Sequence, residues 1–288
     1  GFANCMELTC TTADTTIAAG EFIALSQYLE GQDVQQMKKG TSSAEAVTVS
    51  FYVKGNASAT HTLELRDNDN SRFNSQEFPV TTDWVRITRT FVGDTTGAFD
   101  NDNALSLKVN IWLHAGSTYK GGTHVSNTWG TTTNTRVGDN QTSFVDADTR
   151  NLFITGVQLE VGSQATPFEH RSFGEELALC QRYYHSTTFP NGKAASAGGT
   201  VNSSTIAVIA GMAHPVIMRA APVAAINDVT HIGVRQRAAV TTCTDVAIST
   251  SQRACTMELT VSSGLTVGDG CFARSVNNSC TLSFDIEL

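Results

Sequence analysis

Charged residues are scarce in this chain, making up 16% of its 288 residues, and acidic residues outnumber basic ones to give a net charge of −8. The acidic surplus lies within residues 1–170, where 19 Asp and Glu stand against 11 Lys and Arg. Proteins that bind nucleic acid through its phosphates concentrate Lys and Arg on one surface. Because no such cluster occurs, we expect no nucleic-acid partner.

Long hydrophobic runs are also missing. No stretch approaches the roughly 20 apolar residues that a membrane-spanning helix requires, and no basic segment followed by an apolar one opens the chain as a signal peptide would. We therefore expect no membrane insertion. The chain begins at Gly1 rather than Met, and we expect it to be a truncated or processed piece of a longer protein.

Short catalytic motifs are absent as well. The sequence contains no GxSxG, HExxH, P-loop or GxGxxG pattern, and its histidines lack ligand spacing. Glu175 and Glu176 are adjacent on a predicted helix, so their carboxylates diverge and cannot face each other as a glycosidase pair. We expect a protein that is not an enzyme. A hydrolase that draws two acids from distant loops, such as a polysaccharide depolymerase, remains the alternative.

Hydrophobic and polar residues alternate with a period of two in the first half, which is typical of strands with one buried face. In residues 47–54, Val47, Val49, Phe51 and Val53 share a face. In residues 105–116, Leu105, Leu107, Val109, Ile111 and Leu113 do the same. Further strands are predicted at 22–29, 61–66, 84–92 and 152–161. Many short strands with polar connections predict an all-β fold, an antiparallel β-sandwich.

The length favours two domains, and two helices are predicted between the strands. Residues 32–40 form one candidate helix, and residues 172–184 form the other, with Ser172 and Glu175 spaced as a capping box. Apolar runs at 205–210, 216–226, 244–249, 256–261 and 281–288 predict a second, smaller β-sandwich. The expected domains are 1–170, a connecting helix at 171–186, and 187–288.

Four of the seven cysteines fall in the last 46 residues. We prefer the disulfides Cys243 with Cys255 and Cys271 with Cys280, because each pair is close enough in sequence to join the strands of a hairpin. Such bonds persist outside a reducing cytosol. Burial of all four as small hydrophobic side chains is the alternative. Cys5 and Cys10 are a further candidate pair.

A candidate sugar-binding face lies on the polar side of the strand at 105–116. Trp112 shares that side with Lys108, Asn110 and His114, and aromatic rings among polar groups suit pyranose recognition. Tyr52 is placed similarly, and Tyr119 and Trp129 lie in a polar loop. Trp112 and Tyr52 at a subunit interface, and Trp129 as a loop anchor, are the alternatives. Trp84 opens a strand and is expected to be structural.

Two loops rich in Asp and Asn are candidates for calcium. They offer Asp67 with Asp69 and Asp100 with Asp102, oxygen ligands of the kind that Ca²⁺ prefers. Neither loop fits the EF-hand pattern. Asp and Asn also stabilise turns by bonding their own backbone, so turns without metal are the alternative.

The run QLEVGSQATPFEHRSFGEELALCQRYY resembles a segment of bacteriophage tail-fibre and tail-tip proteins, especially those of marine phages. The resemblance continues upstream through TTADTTIAAGEF, EGQDVQQMKKGTSSA, FYVKGN, GDTTGAFDNDN and IWLHAGSTY, and it covers residues 8–184. Downstream it weakens to HPVIMRAAPV and LSFDIEL. It implies a jelly-roll domain similar to carbohydrate-binding modules, which often hold one structural calcium.

The same resemblance implies an extracellular virion protein that attaches to host surface glycans. It also implies a homotrimer that contacts other virion proteins, with Leu177, Cys180 and Tyr184 near the threefold axis. A purely structural fibre or capsid-decoration module is the main alternative function.

Overall fold

A computed structural model describes residues 2–195 and 198–287 of the chain. Two compact units divide between Glu169 and His170. Every strand pairing in both units is antiparallel, so the predicted all-β class is confirmed. Within the described ranges, no helix has the length and apolar character needed to cross a membrane.

The first unit consists of two four-stranded sheets that enclose one hydrophobic core. Its elements are β1 (Met6–Thr9), β2 (Phe22–Glu30), β3 (Val47–Gly55), β4 (Ala59–Asp67), β5 (Arg72–Val80), β6 (Val85–Phe91), β7 (Leu105–Ala115), α1 (Ser117–Lys120) and β8 (Asn151–Val161). The strand orders are β1-β8-β3-β6 and β2-β7-β4-β5. The first strand pairs with the eighth and the second with the seventh, which is the double Greek-key order of a jelly roll.

The period-two alternation positions the core residues of this unit. Val49, Phe51 and Val53 of β3 are fully buried, and Leu107 and Leu113 of β7 are nearly so. Each fully buried side chain of this size stabilises the fold by about 1.5–3 kcal/mol. Hydrophobic alternation therefore determines which face of each strand turns inward.

Several element predictions in the first unit differ from the structure, and strand β1 is one that was not predicted. Residues 32–40 form two 3₁₀ turns, Gly31–Asp33 and Gln35–Met37, rather than one helix, and Lys38 ends the second turn in the left-handed conformation. Strand β5 was not predicted, since its sequence contains Pro79 and many polar residues. Its position at the edge of its sheet explains the proline, because an edge strand tolerates a missing N–H donor.

In the described part of the second unit, residues 170–195 and 198–287, one α-helix is followed by nine strands. Its elements are α2 (Phe173–Gln181), β9 (Tyr184–Phe189), β10 (Gly199–Val201), β11 (Ile206–Ala213), β12 (Val223–Ile226), β13 (Ile232–Gln236), β14 (Ala239–Thr250), β15 (Ala254–Val261), β16 (Gly270–Ser275) and β17 (Cys280–Asp285). Six strands close into a barrel in the order β10-β11-β15-β14-β13-β16, and β12-β17-β9 form a separate sheet. The second unit is thus an antiparallel β fold, as predicted. Its main element is a closed six-stranded barrel, which stands beside a three-stranded sheet.

Helix α2 carries the predicted capping box. The Ser172 hydroxyl accepts a hydrogen bond from the Glu175 amide at 3.3 Å, and the Glu175 carboxylate accepts one from the Ser172 amide at 3.2 Å. The side chains of α2 from Phe173 to Cys180 are exposed, including Leu177 and Cys180, and Phe173 is 82% exposed. The hydrophobic residues of α2 therefore contribute little to the core of the single chain.

The preferred disulfide pairing is wrong, because all seven cysteines are free thiols. Cys243 and Cys255 lie at opposite ends of the ladder between β14 and β15, where they face Val261 and Thr250. Cys271 belongs to the barrel and Cys280 to the separate sheet. All four are buried in the hydrophobic core of the second unit, as the alternative stated. Burial raises the pKa of Cys243 to about 12 and that of Cys280 to about 11, which keeps both thiols protonated and unreactive.

Thiol titration tests this assignment. In the folded protein, diluted until it is monomeric, we expect an aromatic disulfide reagent to label Cys5 and Cys180 rapidly, since these two are exposed in the single chain and the other five are buried. Unfolding in denaturant without reductant should then release all seven. Fewer than seven reactive thiols in the denatured, air-handled protein would mean that a disulfide forms after all.

Candidate functional site

The face predicted to bind sugar is closed in the structure. Trp112 does point away from the sandwich core, as alternation requires, but a segment at 116–145 covers it and leaves the side chain 2% exposed. Asn110 is 4% exposed and His114 is 6% exposed. The expectation that this face is open is therefore wrong, because alternation assigns a side chain to one side of a sheet without showing what covers that side.

A buried carboxylate holds the covering segment in place. Glu64 of β4 is inaccessible to solvent, and its two oxygens accept from Arg136 Nε at 2.7 Å and Arg136 Nη2 at 2.9 Å. The same carboxylate accepts from Asn110 Nδ2 at 2.8 Å and Trp112 Nε1 at 3.0 Å. Arg136 belongs to the covering segment, so one bidentate ion pair joins that segment to the sheet.

Packing and further hydrogen bonds complete the cover. Tyr119 lies with its ring 5.2 Å from the Trp112 ring, and the Arg136 guanidinium is 4.9 Å from the same indole. Gln141 donates to the Trp112 carbonyl at 2.9 Å. Ser143 lies 3.0 Å from His114 Nδ1. Trp112, Tyr119 and His114 therefore hold the covering segment against the sheet, and they do not form a surface that a ligand can reach.

Two buried histidines that contact the covering segment are held neutral. His61 lies 2.9 Å from Gln141 Nε2, and desolvation lowers its pKa to about 4, with the charge of Arg150 acting in the same direction. Desolvation, with Lys120 acting in the same direction, also lowers the pKa of His114. A neutral imidazole fits a buried site because the charged form would lose its hydration.

Trp129 anchors its loop to the edge of the sandwich. Its indole N–H donates to the Val92 carbonyl at 2.7 Å, and its half-buried ring packs against the core of the first unit. The Lys39 ammonium is 5.6 Å from the ring centroid. These contacts correspond to the loop-anchor alternative for Trp129.

The two Asp-rich loops meet in space, but a side chain of the protein supplies the cation between them. The Lys39 ammonium lies 2.5 Å from Asp67 Oδ2 and 3.2 Å from Asp94 Oδ2, and it donates to the carbonyls of Thr96 at 2.8 Å and Gly97 at 2.7 Å. Asp100 N donates to the Asp69 carboxylate at 3.1 Å, which joins the loops.

These residues do not fit a calcium ion. In the part of the chain that the structure describes, no three His, Cys, Asp or Glu side chains are grouped to hold a metal. Asp102 accepts from the Ala104 amide at 2.8 Å and so stabilises its own turn. The ammonium of Lys39 already neutralises the buried Asp67, which leaves no coordination role for that carboxylate.

An open groove lies on the outer face of the other sheet, β1-β8-β3-β6. It has a volume of about 270 Å³, and the rings of Phe2, Tyr52 and Trp84 line it together with Asn4 and Thr155. Trp84, just before β6, is 44% exposed. Thr155 Oγ1 donates to the Asn4 carbonyl at 2.9 Å. The groove therefore combines accessible aromatic rings with polar groups.

Neighbouring side chains position the rings of this groove. The Phe2 ring lies 5.4 Å from Tyr52 and 4.9 Å from Phe168. The Lys54 ammonium lies 5.4 Å from the Trp84 ring and 4.9 Å from that of Phe153. Aromatic pairs and cation–π contacts of this kind each contribute about 0.5–1.5 kcal/mol, so the rings are held in place before any ligand binds.

Of the predicted sugar-binding residues, only Tyr52 lies in this groove, and Lys108 is half-buried on the opposite sheet. Trp84, expected to be structural, is the ring that sequence reasoning missed. The sequence gives little sign of this groove, because its lining residues 2–5, Tyr52 and Trp84 are far apart in the chain. An indole just outside a strand, after the polar residues Thr81, Thr82 and Asp83, was the available hint.

Comparisons with known proteins give weak likenesses. No protein-family model and no curated protein sequence matches the chain. A solved structure described as "CBM4 structure and function" is 10% identical, covers 56% of this chain and 73% of its own, and has a TM-score of 0.32. A structure described as "PBSX exported protein XepA" is 9% identical, covers 96% of this chain and 86% of its own, and has a TM-score of 0.20. A red clover necrotic mosaic virus structure is 8% identical, with 99% and 89% covered and a TM-score of 0.16. All three are too distant to assign a function.

Substitution of Arg136 tests the closure of the Trp112 face. Arg136→Met leaves Glu64 buried without its partner, and we expect the free energy of unfolding to fall by about 3–5 kcal/mol. Acrylamide should also quench Trp112 more strongly as the covering segment loosens. Urea unfolding followed by tryptophan fluorescence measures the first effect, and acrylamide titration of the folded protein measures the second.

The matched control is Lys38→Met, which removes an exposed ion pair with Glu45. It should cost less than about 1 kcal/mol, since exposed pairs contribute little. If Arg136→Met costs no more than this control, the buried pair does not hold the cover.

Proposed function

We propose that this chain is a non-catalytic attachment module of a bacteriophage tail fibre or tail tip, and that it binds host surface glycans in the groove between Tyr52 and Trp84. The observation that carries the proposal is the pair of accessible rings in an open groove that also contains Asn4 and Thr155. The resemblance of residues 8–184 to phage tail proteins supports the biological setting, an extracellular virion.

The chemistry of the groove suits a sugar ring. An indole or phenol covers the apolar C–H face of a pyranose, while amide and hydroxyl groups bind its hydroxyls. Asn4 and Tyr52 supply such polar groups beside the rings. The rings are held by neighbouring side chains, so little conformational entropy is lost on binding.

The lining of the groove supports binding without catalysis. Glycoside hydrolysis uses two carboxyl groups on either side of the scissile bond. The described residues that line the groove include no Asp or Glu. A bound glycan would therefore be held without an acid or a nucleophile next to it, which disfavours the depolymerase alternative.

Repeated copies would compensate for the weakness of a single sugar site. Linking several sites in one assembly raises the overall affinity through effective concentration. Helix α2 supports self-association, because a nine-residue helix with exposed Phe173 and Leu177 is only marginally stable unless it packs against a partner. The resemblance to tail fibres implies that the assembly is a homotrimer. In this proposal, Leu177, Cys180 and Tyr184 contact neighbouring copies.

The purely structural module is the second candidate, and the exposed α2 also favours it. Under that function the groove binds a neighbouring virion protein, and Trp84 becomes inaccessible in the assembled oligomer. Acrylamide quenching of Trp84 in the native oligomer separates the two candidates, since an adhesin keeps this indole accessible.

Glycan binding is tested with Trp84→Ala and Tyr52→Ala on an array of bacterial surface glycans. We expect each variant to lose about 2 kcal/mol of binding free energy, roughly thirtyfold in Kd, because each removes a ring that covers the sugar. Titration of a glycan identified on the array measures the loss. Phe22→Ala, which removes an exposed aromatic ring on the opposite sheet, is the matched control. Wild-type affinity in both groove variants would remove this site from the adhesin.

A further inference from the structure

A row of four side chains crosses the outer face of the sheet β2-β7-β4-β5, two residues along from the Glu64 network. Tyr28 is the cross-strand partner of Lys108, Lys108 is the partner of Arg66, and Arg66 is the partner of Phe73. Cross-strand partners point to the same face with their Cβ atoms about 5 Å apart. We call Tyr28, Lys108, Arg66 and Phe73 the basic row.

The two cations of this row lack an acidic partner. Across residues 2–195 and 198–287, neither Lys108 nor Arg66 forms a salt bridge, although both are half-buried. The nearest carboxylate on the same face, Glu64, is taken up by Arg136. Like charges placed directly opposite each other destabilise a sheet. The Lys108–Arg66 pair therefore lowers the stability of the fold, which indicates a role other than folding.

The local charge of the row contrasts with that of the whole chain. The protein has a net charge of −8, yet the basic row holds two cations and no carboxylate. The same face also carries Glu64, which is paired with Arg136, and Glu77, which accepts from the Asn140 amide at 2.7 Å. Burial lowers the pKa of Lys108, and the charges of Arg66 and Arg136 lower it further. A local excess of cations on an otherwise acidic protein attracts anions to that place.

The side chains beside the cations suit a ligand larger than a simple ion. The Lys108 ammonium lies 4.6 Å from the centroid of the half-buried Tyr28 ring. On the neighbouring position of β2, Ser26 is exposed and its hydroxyl donates to Asn110 at 2.7 Å. An aromatic ring and a hydroxyl next to paired cations fit a sugar ring that carries a negative group.

We infer that Lys108 and Arg66 form an anion-binding site for an acidic glycan, one that carries a carboxylate or a sulfate. Arg66 supplies a planar fork of donors for the anionic group, and Lys108 supplies a point charge beside it. Tyr28 packs against the attached sugar ring. The inference goes beyond the proposed groove, because it concerns the opposite sheet and a different ligand chemistry.

The experiment compares three polymers: polygalacturonate for carboxylate, dextran sulfate for sulfate, and neutral dextran. Calorimetric titration at about 0.15 M salt suppresses long-range attraction between exposed charges. We expect the intact chain to bind at least one acidic polymer and not dextran. Lys108→Met and Arg66→Met should each weaken that binding roughly tenfold, the loss of one charge-assisted contact.

Lys38→Met is the matched control, since it removes the same charge from an exposed position of the first unit. The unfolding free energy provides a second readout. Lys108→Met and Arg66→Met should be at least as stable as the wild type, because each relieves the repulsion within the row. Lost binding in a stable variant is then not a folding defect.

Three results would overturn the assignment. These are no binding of either acidic polymer, equal weakening by Lys38→Met and Lys108→Met, and binding of duplex DNA as tight as that of the acidic polymers. The proposed groove is tested separately, by the affinity of Trp84→Ala for neutral glycans.

Discussion

The buried ion pair between Glu64 and Arg136 determines which surfaces of the first unit a partner can reach. Four hydrogen bonds converge on the Glu64 carboxylate, and two of them come from the segment that covers Trp112. A carboxylate without solvent access needs partners for both oxygens, because an unpaired charge that has lost its hydration strongly destabilises the fold. The ion pair closes one end of the β7 face, while the basic row on that face and the groove near Trp84 on the opposite sheet stay accessible.

A second internal cation has a comparable role at the edge of the sandwich. Lys39 brings Asp67 and Asp94 together with two loop carbonyls, in a region where sequence alone suggested calcium. Both loop regions are thus stabilised by side chains of the chain itself. The low charge content of the sequence makes this notable, since several of its few cations are used inside the fold and not on its surface.

The antiparallel β-sandwich could be predicted from the sequence because burial in a sheet imposes a period of two, which Val49, Phe51 and Val53 follow. The capping box at Ser172 was predictable for a similar reason, since it depends on residues three positions apart. The jelly-roll strand order was implied only by the resemblance to phage tail proteins. Strand β5 and the burial of Trp112 were not predictable, because an edge strand tolerates polar residues and proline, and a cover depends on contacts such as Arg136 with Glu64. The disulfide prediction failed for the same reason: Cys243 and Cys255 are near in sequence but occupy opposite ends of one ladder.

The central claim is that ligands meet the groove at Trp84 while Trp112 stays enclosed. The three indole N–H signals in a ¹H–¹⁵N correlation spectrum, recorded with and without a glycan that the protein binds, test it directly. Hydrogen exchange should be slowest for Trp112, whose indole N–H is bonded to Glu64, and only the Trp84 signal should shift on addition of the glycan. Rapid exchange at Trp112, together with a ligand-induced shift of its signal, would contradict the account.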